Sequence, residues 1–285
     1  NDNGTMFGDI SNILELDDGT LWIGTKDVGL IHYQPKTGER SFFHNNPNNP
    51  NSLSSNIVSA IVADKERGIW VGTHYGLNHY DPTSGQFTLY LKEHGLPSNL
   101  INNLLIDKSN NLWLTTNQGM SRFSPKSLAF SNFGREDGLS NDYFQAGSAY
   151  INKKGGLFFG GSKGIDHFQS DTVVANPFPP KVQITAFQLM NKSITPSQSD
   201  VLDLSITDTT HIDLNHEQTM FAFEFSALDF TIANKNQYAY RLIGFDKDWQ
   251  FVGGRRYASY TNIPPGDYRF EVKGTNNDGL WSTQE

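Results

Sequence analysis

Cysteine is absent from this chain of 285 residues. Its absence excludes disulfides, thiolate metal sites and a cysteine nucleophile, and leaves the redox compartment unreadable from composition. No apolar run approaches the ~18 residues that cross a bilayer as a helix. Basic residues are few and scattered, 22 Lys and Arg against 30 Asp and Glu, for a net charge of −8. Phosphate neutralisation supplies most of the affinity of a nucleic-acid binder, so the acidic balance argues against nucleic acid as a partner and against an anionic membrane surface. A nucleophile elbow, a phosphate-cradling glycine loop before a helix and a zinc-protease helix motif are all missing. So is any long amphipathic helical pattern. What remains is rich in glycine (26 residues) and aromatics (13%), the mark of an all-β chain with many tight turns.

A five-residue unit recurs along the first half. It reads Leu21-Trp22-Ile23-Gly24-Thr25, then Ile69-Trp70-Val71-Gly72-Thr73, then Leu112-Trp113-Leu114-Thr115-Thr116, with a worn copy at Leu157-Phe158-Phe159-Gly160-Gly161. The aromatic positions 22, 70, 113 and 158 lie 48, 43 and 45 residues apart. A period of about 40–50 residues with four short strands per repeat is that of a β-propeller blade. Each unit is followed by Gly29-Leu30, Gly76-Leu77, Gly119-Met120 or Gly164-Ile165, and then by an aromatic residue: Tyr33, Tyr80, Phe123 or Phe168. In the second copy the strands are expected at 57–63, 69–73, 77–80 and 87–91, with turns at Asp64–Gly68, His74–Gly76 and Asp81–Gly85. The fourth copy leaves little room for a fourth strand before Pro177. One aromatic per blade at a fixed position is expected to fill the wedge between sheets and not to serve as a sugar platform.

The pattern Asp-x-x-Gly-x-Leu-Trp-Ile-Gly-Thr-x-x-Gly-Leu-x-x-Tyr, with the inter-blade segments Gly95–Asn99 and Gly138–Asp142, resembles the two-component regulator propeller repeat from residue 9 to about 170. Beyond the stiff break Asn176-Pro177-Phe178-Pro179-Pro180 the period is lost. There Val182–Leu189, Thr219–Phe225, Tyr238–Ile243 and Tyr268–Val272 read as sandwich strands. The runs Tyr238–Trp249, Tyr260–Tyr268 and Asn276–Ser282 resemble the triple-tyrosine domain that follows such propellers in sensor kinases. The expected architecture is therefore all-β: a partial β-propeller of four blade-like repeats over 1–175, then an immunoglobulin-like β-sandwich over 176–285, truncated at its end. The turn-like Asn1-Asp2-Asn3-Gly4 makes residues 1–8 poor material for a closing strand. The chain is thus expected to hold the later part of a larger propeller, as an open arc or with its raw edges hidden by self-association.

By that resemblance the parent is a membrane-anchored, hybrid two-component sensor histidine kinase. This part would stand on the periplasmic or extracellular side of a bacterial inner membrane, bind a small-molecule or oligosaccharide signal, and work within a dimer. Phosphate transfer would belong to a cytoplasmic part, so no catalytic residue, cofactor or metal site is expected here. In a four-stranded blade the connections between the second and third strands, and between blades, share one rim. They vary where the strands stay alike, which makes Lys26, Asp27, His74, Tyr75, Asn117, Gln118 and Lys163 the candidate ligand-binding residues. The alternative is a propeller-type polysaccharide lyase or glycosidase with an accessory sandwich, which would need carboxylates converging in a cleft.

Overall fold

The computed structural model describes residues 8–64, 68–196 and 201–283. The turn-like stub at 1–7 and the turn residues 65–67 lie outside the described residues. The chain divides into two compact units, Asn1–Val173 and Val174–Glu285.

The first unit is a series of antiparallel sheets, each a blade. Blade 1 holds β1 (Ile10–Glu15), β2 (Leu21–Thr25), β3 (Leu30–Gln34) and β4 (Glu39–Phe43). Blade 2 holds β5 (Val58–Ala63), β6 (Ile69–Thr73), β7 (Gly76–Asp81) and β8 (Gln86–Tyr90). Blade 3 holds β9 (Ile101–Ile106), β10 (Leu112–Thr116), β11 (Gly119–Ser124) and β12 (Ala129–Phe133). Blade 4 has three strands, β13 (Phe144–Ile151), β14 (Gly156–Gly161) and β15 (Gly164–Gln169), and then a 3₁₀ turn over Ser170–Thr172. The repeated five-residue unit is the second strand of every blade. In β6 and β10 it is buried along its whole length, as a sheet covered on both faces requires.

Each buried tryptophan fills the gap between its own blade and the next. Trp22 packs with Val58, Ile61, Ile69 and Val71 of blade 2. Trp70 packs with Ile101, Leu104, Leu112 and Phe123 of blade 3, and Trp113 with Phe144, Leu157 and Phe159 of blade 4. The indole N–H groups are served by a carboxylate six positions upstream: Trp70 Nε1 donates to Asp64 Oδ2 at 2.9 Å and Trp113 Nε1 to Asp107 Oδ2 at 2.9 Å. Blade 1 has Leu16 at that position, and Trp22 Nε1 is buried without a partner among the described residues.

The blades are also stitched by hydrogen bonds from the residue eleven positions before the aromatic. Ser11 Oγ donates to the Val58 carbonyl at 2.6 Å, Ser59 Oγ to that of Ile101 at 2.6 Å, and Asn102 Nδ2 to that of Phe144 at 2.8 Å. The glycine of the repeat lets these strands approach. A Cβ at Gly24 would lie 2.7 Å from Val58 Cγ1, and one at Gly72 2.7 Å from Ile101 Cγ2. Blade 3 has Thr115 at that position, and the facing β13 bulges, its pairing passing from Phe144↔Gly161 directly to Ala149↔Phe159. That irregularity is two residues longer than the one in β5, where Val58↔Thr73 is followed by Ala60↔Gly72. Thr115 Oγ1 accepts from Asn103 Nδ2 at 2.8 Å, and the same amide donates to the Gln145 carbonyl inside the bulge at 2.9 Å.

The second unit is a two-sheet sandwich. One sheet has the order β17-β16-β18-β21, from β16 (Val182–Leu189), β17 (Lys192–Ile194), β18 (Met220–Ala227) and β21 (Tyr257–Thr261). The other has the order β20-β19-β22, from β19 (Tyr238–Ile243), β20 (Gln250–Gly253) and β22 (Arg269–Gly274). Phe225, Tyr238, Tyr240, Tyr260 and Val272 meet between them, and Phe223 stacks on Phe270 with ring centres 4.4 Å apart. The tyrosine hydroxyls find partners, as buried phenols must. Ala227 N donates to Tyr238 Oη at 3.1 Å, and Tyr260 Oη donates to Asp246 Oδ2 at 2.7 Å. Burial, followed by that bond to Asp246, pushes the Tyr260 phenol well above its ordinary pKa.

Three sandwich strands have no counterpart in the sequence reading: β17, β20 and β21. The first two are three and four residues long, too short for a period to register. The alternation of β21 is clean, with Ala258 and Tyr260 turned inward, but Ala and Ser carry little strand propensity. The expected strand at 219–225 runs over Met220–Ala227, and that at 268–272 over Arg269–Gly274.

Candidate functional site

The rim of the blades is built from the last residue of the repeated unit. Thr25, Thr73 and Thr116 are fully buried at the end of the second strand. Thr73 Oγ1 donates to the Gly76 carbonyl at 3.1 Å and accepts from Tyr75 N at 3.0 Å; Thr116 Oγ1 donates to Gly119 O at 3.1 Å and accepts from Gln118 N at 2.9 Å. One hydroxyl thus closes a tight turn and leaves two side chains on its crest. Gly76 takes φ +101°, which a side chain would strain. Blade 4 has Gly161 in place of the threonine, and Asn141 substitutes for its hydroxyl. Asn141 Oδ1 accepts from Lys163 N at 2.7 Å and its Nδ2 donates to Gly164 O at 3.3 Å.

The segments between blades lie against these turns. Gly29, Gly76 and Gly119 donate their N–H groups to the carbonyls of Asn56, Asn99 and Asp142, at 3.0, 2.6 and 2.9 Å. Buried polar side chains on the third strands anchor the same segments: Asn78 Oδ1 accepts from Ser54 N at 3.0 Å, and Asp166 accepts from Ser140 N at 2.7 Å and from Asn141 Nδ2 at 2.9 Å. The rim is therefore rigid backbone carrying variable side chains.

Lys26, Asp27, His74, Tyr75, Asn117, Gln118 and Lys163 are all exposed and all lie on second-to-third-strand turns. Two of them are engaged locally. Lys26 Nζ pairs with Asp9 Oδ2 at 3.2 Å, and Asp27 Oδ1 accepts from Asp9 N at 3.3 Å. Among the described residues the side chains of His74, Tyr75, Asn117, Gln118 and Lys163 make no hydrogen bond, and no hydrogen bond or ion pair joins candidates of different blades. Tyr75 keeps 52% of its surface exposed. Tyr143, 49% exposed in the segment leading into blade 4, belongs to the same rim and was missed; its signal is its place directly after the inter-blade segment Gly138–Asp142. Asn141, also missed, is not exposed but holds the Lys163 turn. Among the described residues no group of three His, Asp or Glu could hold a metal ion. Phenol, amide, imidazole and ammonium groups on fixed turns suit stacking and hydrogen bonding to a polar ligand.

In the second unit the proline-rich segment is strapped to the turn after β22. Asn176 N donates to Asp278 Oδ2 at 2.6 Å and Asn176 Nδ2 to Asn277 Oδ1 at 2.9 Å; Asn276 Nδ2 donates to the carbonyls of Asn176 and Phe178, each at 2.9 Å. A displacement of residues 174–178 would therefore reach that turn directly.

Residues 52–75 and 95–118 match the two component regulator propeller family, and residues 229–285 match the Y_Y_Y domain. The propeller-repeat matches fall in the first unit and the Y_Y_Y match in the second. Over 278 residues it is 28% identical to histidine kinase P4 of Formosa agariphila, a match covering 97% of this chain and 17% of that protein. The extracellular domain of a hybrid two component system from B. thetaiotaomicron superposes with a TM-score of 0.79 at 26% identity, covering 96% of this chain and 37% of that one. The chain spans less than a fifth of the kinase and little more than a third of the solved domain. No helix among the described residues is long and apolar enough to cross a membrane.

Proposed function

We propose that this chain is part of the signal-receiving region of a membrane-bound hybrid two-component sensor histidine kinase, on the periplasmic side of the inner membrane. The propeller rim binds a carbohydrate-type ligand, and the sandwich passes the change on within a dimer. The observation that carries this reading is the match of both units together, over 96% of the chain, to the extracellular domain of a hybrid two component system. The rim geometry supports the receiving role, because its turns are fixed by buried side chains while those of His74, Tyr75, Asn117, Gln118 and Lys163 stay uncommitted. The strap between Asn176 and the turn at 276–278 supports the relay, since it ties the segment entering the sandwich to the turn that ends β22. The chain turns over no substrate; it binds and releases.

Calorimetric titration of the chain with size-fractionated oligosaccharides tests this. Saturable binding is expected, and Tyr75→Ala should weaken it at least tenfold with no change in melting temperature, because stacking on an exposed phenol is lost and no packing is. Saturable binding that Tyr75→Ala and Gln118→Ala leave intact would mean that the ligand binds away from the rim.

A further inference from the structure

One face of the sandwich differs in character from the rest of this acidic chain. On the outer side of the β20-β19-β22 sheet, Arg241 pairs across to Glu271, and Ala239 lies between Phe251 and Lys273. The small Ala239 leaves a trough that the Lys273 side chain occupies. Its Nζ stands 4.1 Å from the ring centre of Trp249, 5.3 Å from that of Trp281 and 5.6 Å from that of Phe251. Arg241 covers Trp249 at 4.5 Å and shares Glu271 with Arg269. Two guanidinium groups thus meet one buried carboxylate, and Lys273 adds a third positive charge to the same face. Phe251 is 69% exposed and the Arg269 side chain 73%.

We propose that this face docks on an anionic lipid surface, an inference that rests on the chain being part of a membrane-attached sensor. The net charge of −8 argues against such a partner for the chain as a whole. Screening limits the reach of each charge to about 10 Å, however, so a docking face answers to its local balance, and here that balance is positive. Sugar stacking is disfavoured because Lys273 and Arg241 already occupy the indole faces, leaving ring edges and cationic heads to point outward. A two-fold pairing of copies centred on Lys273 would set that lysine against its own copy. Protein interfaces are depleted of charge at their centre, whereas a lysine is the centre of this patch. Aromatic edges ringed by long basic side chains suit the headgroup layer, where rings sit at the boundary and ammonium groups reach phosphate.

Co-sedimentation of the whole chain with vesicles of phosphatidylcholine plus phosphatidylglycerol, against phosphatidylcholine alone, tests this. Partitioning should require the anionic lipid and fall with added salt. Lys273→Gln should weaken it about fivefold, the equivalent of ~1 kcal/mol for one basic side chain at an anionic surface. Phe251→Ser, an exposed position, should weaken it while the melting temperature holds, and Tyr75→Ala on the rim should leave it unchanged. No partitioning, equal partitioning to both vesicles, or partitioning that neither variant weakens would overturn the proposal. So would a sedimentation-detected dimer that Phe251→Ser abolishes, which would give the face to a second copy. Oligosaccharide binding without vesicle binding would refute this inference and leave the sensor reading standing; vesicle binding without oligosaccharide binding would leave this inference standing and remove the carbohydrate ligand from the proposed function.

Discussion

At the scale of single residues, the repeat carries more than its tryptophan. The aromatic positions were legible because they recur in phase, and their packing role followed from one per blade. The carboxylates that serve two of them were not, because the position six residues upstream reads Leu16, Asp64, Asp107 and Asn152, and two broken copies hide the rule. The third-strand partner of the aromatic was equally hidden. His32, His79 and His167 stack on Trp22, Trp70 and Phe158, with ring centres 4.6, 4.2 and 4.1 Å apart, while Arg122 covers Trp113. Burial pushes the pKa of His79 below its ordinary value of 6.5, against the opposing pull of Asp64 and Asp81. The folded chain therefore takes up a proton at His79 less readily than the unfolded chain does, and the difference penalises the fold once the unfolded histidine begins to protonate. Stability should be fully present above pH 6.5 and decline as pH falls below it. Denaturant midpoints across that range should show a shallower acid-side decline in His79→Gln; an unchanged slope would mean that the ring titrates as if exposed.

Among the elements, equivalent positions in successive first strands meet different surroundings. Ile61 is 5% exposed against Trp22, and Leu104 is 4% exposed against Trp70, whereas Ile13 at the same position of β1 is 59% exposed. Packing register predicts that Ile61→Ala costs about 2–4 kcal/mol, as for a buried isoleucine, and Ile13→Ala under about 0.5 kcal/mol. Equal losses in denaturant unfolding would mean that the blades do not stack in this register. The long strands were placed from sequence to within two residues, since a run such as Ile-Trp-Val-Gly-Thr admits one secondary structure once its period is known. The bulge in β13 was not foreseeable. It answers a substitution, Thr115 for glycine, 29 residues earlier in the chain, and only three-dimensional pairing brings the two together.

Across the whole molecule, the rim and the strap give the sensor reading its physical content. The rim residues were legible as a class because turns vary where strands do not. Their degree of commitment was not: sequence could not separate Lys26 and Asp27, which engage Asp9, from Tyr75 and Gln118, whose side chains stay uncommitted. The strap from Asn176 to Asn276–Asp278 was invisible, because its partners lie about a hundred residues apart and asparagine at a turn has an ordinary local explanation. In the proposed function one ligand touches the rim and is felt at the strap. Hydrogen–deuterium exchange of the whole chain, with and without a bound oligosaccharide, measures both at once. Exchange is expected to slow at the turns around 74–76 and 117–119, together with a change at the amides of Asn176 and of 276–280. Protection confined to other surfaces, or rim protection with the strap amides unmoved, would contradict it.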